Sequence, residues 1–396
     1  MKICQVASLY FPYFVGGGEI VVERISRELK ERGHNIMILM AGKGDVFRIH
    51  NDVKVYEINP RNIYPPFDFY KKPSFLKPLW HIIDLFNVCS YYKIKKILKK
   101  ERPDVIHVHN YKGLSPLLFK AATSLNIPIV FSAHGYSPVC IKGTLRRSKG
   151  ICESPNIFCK IYVLFQRLLI KNNVDFLISP SNFTLSELKS RACFNGVKTC
   201  RLPNPIEIDQ QAQPLEKGYD IIDVLYVGAL SEDKGIFILL DAFKKIKDNK
   251  FRLHIVGKGS GELEVHKRIL SDRRISFYGF LEGDDLIRLY KTANITVVPS
   301  TGYEVFGMAI IESFANSTPV IASNIGGIPE IVKHEYNGLL FEAGNLNELK
   351  ELLESLNENI LKKMEFNAFK TSKEYDVKKH VDILEKIYRT LKGDAI

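Results

Sequence analysis

Short apolar runs, each closed by a turn residue and followed by a helical stretch, recur along this chain. That alternation limits the possible folds more than any other feature. Lys2–Ser8 is apolar enough for a buried strand, and Gly18–Arg32 carries Ile20, Val21, Ile25 and Leu29 at helical spacing before Gly33 ends it. Asn35–Met40, Val53–Ile58, Asp104–Val108, Pro128–Ser132 and Asp175–Ile178 repeat the strand signal. Runs this short and this uniformly apolar suit strands covered on both faces, which predicts a mostly parallel sheet between helix layers.

The rhythm breaks near residues 203–220, where Pro203-Asn204-Pro205 stops local structure and Gln210–Tyr219 is polar without an apolar period. It then restarts, with strands expected at Val224–Val227, Arg252–Val256, Ile275–Tyr278, Ile295–Val298 and Pro319–Ala322. Helices are expected at Lys234–Ile246 and Phe306–Asn316. A chain of 396 residues exceeds what one hydrophobic core ordinarily holds. The expected fold class is therefore α/β, with two doubly wound, Rossmann-like domains facing each other across a cleft: residues 1–205 and 206–375. The amphipathic segment near Val377–Leu391, within 376–396, could pack back onto the first domain. Ligands of such sheets sit at the carboxyl ends of the strands.

Composition removes other classes. With 45% hydrophobic and 25% charged residues the chain is neither disordered nor fibrous. No apolar stretch reaches the roughly 18 residues that span a bilayer. Met1–Val15 resembles a signal peptide only superficially, since Gln5, Ser8 and Pro12 interrupt it and Gly16-Gly17-Gly18-Glu19 replaces a cleavage site. Seven scattered cysteines, an odd number, do not form a secreted disulfide framework, so a cytoplasmic setting is expected. The net charge of +12 suits an anionic partner such as nucleotide phosphates or anionic lipid, although solvated lysines account for much of it.

Three loops carry chemistry. Gly16-Gly17-Gly18-Glu19 follows the first strand at a helix start, where glycine lets backbone N–H groups approach an anion; a plain tight turn would also want glycine. Val227-Gly228-Ala229-Leu230-Ser231-Glu232-Asp233-Lys234-Gly235 repeats the design, with Lys234 able to neutralise a phosphate as a point charge. An exposed first-turn lysine is the bland alternative, opposed by the helix dipole. Ser300–Glu312 places Glu304 in a loop before a helix and Glu312 on its second or third turn. Two such acceptors suit sugar and ribose hydroxyls, and amides near Phe306, Gly307 and Met308 could hold a diphosphate. The bland alternative is a helix-start glutamate and a solvated one.

Taken together, Ser300–Glu312, Ala322–Val332, Asn337-Gly338-Leu339-Leu340, Val227–Gly235, Leu202–Ile206, Gly16–Glu19 and Ser132-Ala133-His134-Gly135 resemble the retaining glycosyltransferases of GT-B fold that carry an E-x7-E motif, glycosyltransferase family 4 or group 1. The resemblance covers nearly the whole chain and is most specific from about 222 to 342. It implies that Glu304 contacts hydroxyls of the donor sugar, Glu312 the ribose, and Lys234 the diphosphate near Gly228. His134 would lie beside the transferred sugar, with Gly17 and Gly18 closing over the phosphates. The catalytic set is then His134, Lys234 and Glu304. The donor is a nucleotide sugar, UDP-linked as a prior, with no separate cofactor. One departure stands out: Ala229 occupies a position where the family often has an arginine.

No D-x-D occurs, so a metal held by that pattern is not expected. Retention ordinarily implies a carboxylate nucleophile, yet no candidate presents itself. The resemblance implies same-face attack, with the departing phosphate taking the acceptor proton. Rival readings are a nucleotide-sugar epimerase of similar architecture, which would need acid/base groups not found here, and a non-catalytic nucleotide-sugar-binding relative, motivated by Ala229. His107-Val108-His109 puts two imidazoles on one strand face, for metal binding or as a strand end near a cleft.

Two surface features remain. Residues 61–102 hold ten Lys or Arg against three Asp or Glu, interleaved with nine aromatics. This is either a solvated face or a patch for an anionic membrane surface, giving access to a lipid-linked acceptor from a peripheral position at the inner face of the membrane. A glycan acceptor is the other option, and no nucleic-acid partner is expected. Cys140, Cys152 and Cys159 lie in a polar segment as free thiols, a disulfide pair, or zinc ligands completed by Cys193 or Cys200.

Overall fold

The computed structural model describes residues 1–13, 16–147, 150–191, 194–208 and 217–393. Residues 209–216 of the expected linker, and Cys193, lie outside the described residues. The chain forms two compact units. One comprises Met1–Leu145, Cys152–Pro205 and Val377–Ile396, the other Arg146–Ile151 and Ile206–Asp376.

The strands in chain order are β1 (Lys2–Ala7), β2 (Asn35–Ala41), β3 (Val46–His50), β4 (Val53–Ile58), β5 (Val105–Val108), β6 (Ile129–Ser132), β7 (Arg146–Arg147), β8 (Gly150–Ile151), β9 (Phe176–Ser179) and β10 (Lys198–Arg201). The second unit continues with β11 (Ile222–Val227), β12 (Phe251–Val256), β13 (Ile275–Phe277), β14 (Ile295–Val298), β15 (Val320–Ser323) and β16 (Gly338–Phe341).

The first unit is built on an eight-stranded sheet of order β10-β9-β6-β5-β1-β2-β4-β3. Its pairings are parallel except β3 on β4, which is antiparallel. β3 and β10 carry no continuous apolar run because each is an edge strand with a solvated side, which is why the sequence pattern misses them. The helix Val377–Lys392 belongs to this unit. It buries Val381, Leu384 and Tyr388, while Asp382 and Glu385 reach Arg32 at 2.6 and 3.0 Å.

The second unit holds a parallel six-stranded sheet of order β13-β12-β11-β14-β15-β16. One apolar layer packs Leu239, Leu240 and Phe243 against the sheet, and another packs Ile310, Ile311 and Phe314. Each such side chain contributes about 1.5–3 kcal/mol by leaving water. Two expected helices are shortened by glycine. Lys234–Ile246 becomes a 3-10 turn, Glu232–Lys234, and a helix, Ile236–Lys245, separated by Gly235 at φ +71°. The helix expected from Phe306 starts at Met308, after Gly307 at φ +114°. A left-handed residue cannot continue a right-handed helix.

Candidate active site

In the second unit the carboxyl ends of β11 and β14 are tied together by their loops. The backbone N–H groups of Thr301 and Gly302 donate to the Asp233 carbonyl at 2.9 and 3.2 Å, and the Thr301 hydroxyl donates to the Glu232 carbonyl at 3.0 Å. Gly235 lies so close to Pro299 that a Cβ there would collide with the Pro299 carbonyl. These contacts bring Lys234 to Glu304, Nζ to Oε1 at 2.6 Å, and the Ser300 hydroxyl donates to the same oxygen at 2.6 Å. Burial works against the lysine's charge, but the Glu304 carboxylate, backed by Asp233, outweighs it and holds the Lys234 ammonium above its ordinary range. With one ammonium proton engaged by Glu304, the remaining donors can meet a second anion.

The backbone of Glu304 is held from the other side. Its carbonyl accepts from the Gly327 N–H at 2.7 Å, and Gly326, at φ +62°, leaves no room for a Cβ against Glu304. The helix Met308–Ala315 follows in the loop sequence after β14, and the first N–H groups of a helix are available to an anion. Ile310, Ile311 and Phe314 anchor it in the core, which turns Glu312 to the opposite, partly exposed face. There the Tyr290 hydroxyl donates to Glu312 Oε2 at 3.3 Å. The Phe306 side chain is buried against Tyr375, so at the site Phe306 offers backbone only. Gly228 closes β11, its N–H donating to the Val256 carbonyl at 3.1 Å.

At the position of the noted departure, the Ala229 carbonyl accepts from the Tyr226 hydroxyl at 2.7 Å. A cation on β7 reaches the same pair of loops: Arg146 Nη1 donates to Thr301 Oγ1 at 2.8 Å, and Nη2 lies 3.8 Å from Glu232. The sequence places Arg146 in an unremarkable polar loop, and only the fold of this unit reveals its position.

The first unit assembles its own polar centre. Gly17 opens the helix Gly17–Glu31, and the Gly16 N–H donates to the Glu19 carboxylate at 2.9 Å. A Cβ on Gly18 would stand 3.9 Å from that of His134. His134 Nε2 pairs with His109 Nδ1 at 2.9 Å, and His109 Nε2 with Gln5 Oε1 at 2.7 Å. His107 sits alongside, ring centres 4.0 Å apart, bonded to Tyr388 and Ser132 at 2.6 and 2.7 Å. The two imidazoles of the His-Val-His strand thus have protein partners at both nitrogens. Burial pushes His134 down to about 4, so its ring is neutral near pH 7, and its Nδ1 has no hydrogen-bond partner among the described residues. Gln5 and Tyr388 escape a sequence reading because nothing local marks a core glutamine or helix tyrosine as a histidine partner. Among the described residues, Cys140, Cys152 and Cys159 form no disulfide.

A family model for group 1 glycosyl transferases matches residues 207–388, and one for glycosyltransferase family 4 matches residues 15–210. An uncharacterized glycosyltransferase of Methanocaldococcus jannaschii is 30% identical over 400 residues, covering 99% of both chains. The chain belongs to glycosyltransferase family 4. A relative from Escherichia coli, UDP-Gal:alpha-D-GlcNAc-diphosphoundecaprenol alpha-1,3-galactosyltransferase, is 26% identical over 330 residues, 80% of this chain and 82% of that one. Among solved structures, Anabaena HepE in complex with UDP-glucose matches this glycosyltransferase with a TM-score of 0.73 at 19% identity, covering 98% of this chain and 100% of that one. This likeness identifies the GT-B fold. Among the described residues of the enzyme no helix is long and apolar enough to cross a membrane.

Proposed function

We propose that this glycosyltransferase moves a hexosyl group, with retention at the anomeric carbon, from a UDP-sugar to a hydroxyl of a lipid-linked or glycan acceptor. The observation that carries this reading is the Lys234–Glu304 pair at the ends of β11 and β14, beside the start of the helix Met308–Ala315. Breaking the bond between the anomeric carbon and the phosphate oxygen leaves negative charge on the diphosphate. Lys234, the Gly228 loop and the amides at Gly307 and Met308 offset that charge where it develops. Arg146 supplies a second cation in place of the side chain that Ala229 lacks. Glu304, fixed through both its side chain and its carbonyl, accepts from hydroxyls of the donor sugar, and Glu312 accepts from the ribose. The first unit offers Gly17, Gly18 and the neutral His134, whose Nδ1, without a partner among the described residues, is suited to a sugar hydroxyl.

UDP is supported by the UDP-glucose bound in HepE, and a lipid-linked acceptor by the name of the Escherichia coli relative. Assembly of a polysaccharide or glycoconjugate from the cytoplasmic side of a membrane fits both. The test is a thermal-shift screen of nucleotide sugars, in which a ligand at about 100 times its Kd adds roughly 2.7 kcal/mol, followed by turnover of the stabilising sugar. Release of nucleotide only when an acceptor hydroxyl is supplied is the expected result. Interconversion of the sugar without an acceptor would replace the proposal with an epimerase, and binding without turnover would replace it with a binding protein.

A further inference from the structure

The helix Ile157–Ile170 in the first unit buries a mixed face, Leu169 and Ile170 lying inward with two polar side chains. Its polar residues Tyr162 and Gln166 are buried, the Gln166 amide donating to the Tyr162 hydroxyl at 2.6 Å and accepting from Tyr111 at 3.2 Å. Most of its other large apolar residues face water: Phe158 is 77% exposed and Leu168 63%, with Ile157, Ile161 and Leu164 also exposed. Spacings of three and four residues put them on one face. A second helix, Lys77–Leu85, adds to that surface. Phe75, just before it, is 78% exposed and Ile82 57%, and the Phe86 ring meets that of Phe165 at 5.2 Å. Scattered exposed apolar side chains are ordinary, but a contiguous patch shared by two helices marks a surface that something covers.

Charge selects the occupant. Ile157–Ile170 contains Lys160 and Arg167 and no acid, exposed Lys171 follows it directly, and the nearest acids along the chain are Glu153 and Asp175. At the second helix Asp84 is buried and Asp68, before it, is half-buried, while Lys72 near Phe75 is exposed and Lys77 opens the helix. An apolar face rimmed by cations complements an anionic bilayer, where the apolar side chains enter the acyl boundary and the cations meet the headgroups. A second copy of this chain would bring the same cations against themselves.

We propose that the joint face of the helices Ile157–Ile170 and Lys77–Leu85 inserts into the surface of an anionic lipid membrane, with Phe158 and Leu168 as its main anchors. This deepens the acceptor side of the proposed function, since a face held in lipid would bring the enzyme to a lipid-linked acceptor. The experiment is flotation with vesicles of phosphatidylcholine alone or mixed with phosphatidylglycerol. The parent protein is compared with Phe158→Ser/Leu168→Ser and with Lys160→Glu/Lys171→Glu. The expected result is stronger binding to the mixed vesicles, a loss of about tenfold or more for each apolar side chain removed, and loss of the preference for anionic lipid in the charge variant. Unfolding temperature and UDP affinity serve as controls and should match the parent; absence of UDP binding in every protein would instead count against the proposed donor. The membrane proposal is overturned if the parent ignores both vesicles or if the apolar variant floats as well as the parent. A parent dimer in sedimentation velocity that the apolar variant breaks would assign the face to a second copy instead.

Discussion

Lys234 and Glu304 are separated by 70 positions in the chain and by 2.6 Å in space. The pair joins the loop after β11 to the loop after β14, so it couples a cation suited to the leaving phosphate with a carboxylate suited to the sugar. Glu304→Gln keeps the shape and removes the charge that holds Lys234 above its ordinary range. The expected outcome is a fall in turnover of about 100-fold or more, the scale of losing one preorganised electrostatic contact. Lys234→Ala should also lower kcat more than it weakens donor binding, because charge grows at the phosphate during bond breaking. Steady-state kinetics with calorimetric donor binding check both; parental turnover in either variant would remove the pair from the mechanism.

Glu312 stands apart from that pair, on the helix face opposite Ile310 and Phe314 and next to Tyr290. Glu312→Gln should raise the Kd for the nucleotide by about tenfold, equivalent to one charged hydrogen bond. The unfolding temperature should stay unchanged. Titration with the free nucleotide isolates this effect from the sugar, and an unaltered Kd would take the ribose away from Glu312.

Gly326 has a structural role with a functional consequence. At φ +62° and in contact with the Glu304 backbone, it tolerates no side chain. Gly326→Ala should destabilise the fold by about 1–3 kcal/mol and lower turnover further by displacing Glu304. Urea unfolding and kinetics on the same preparation measure the two. A variant that is stable and fully active would show that the loop has slack.

Acidification should loosen the histidine centre of the first unit. Burial pushes His134 and His380 from 6.5 to about 4, and His107 and His109 move in the same direction. The unfolded chain therefore takes up protons before the folded one does. The stabilisation is complete above 6.5 and is lost as pH falls toward about 4, by up to about 1.4 kcal/mol per pH unit for a buried histidine. His380 Nδ1 lies 2.8 Å from the Pro203 carbonyl, so His380→Asn can retain a donor to that oxygen while removing the titrating group. Its stability should decline less steeply with acid than the parent's; an identical slope would exclude His380 as a contributor.

Much of the fold was legible because parallel strands covered on both faces must be short, apolar and closed by turns. Val53–Ile58 and Ile295–Val298 needed no tertiary information for that reason. The three glycine-bearing loops were legible on similar grounds, since a strand that turns directly into a helix needs residues free of Cβ crowding. The E-x7-E run also located Glu304 ahead of a helix and Glu312 within it. Local pattern could not give the pairings. Glu304 on Lys234, Arg146 on Thr301 and Tyr388 on His107 join positions 70, 155 and 281 apart. Such pairs are set by which strand ends become neighbours and by where the last helix docks. The outward apolar face of Ile157–Ile170 belongs with them. Periodicity shows that a helix has an apolar stripe, but only packing decides whether the stripe or the tyrosine and glutamine beside it turns inward.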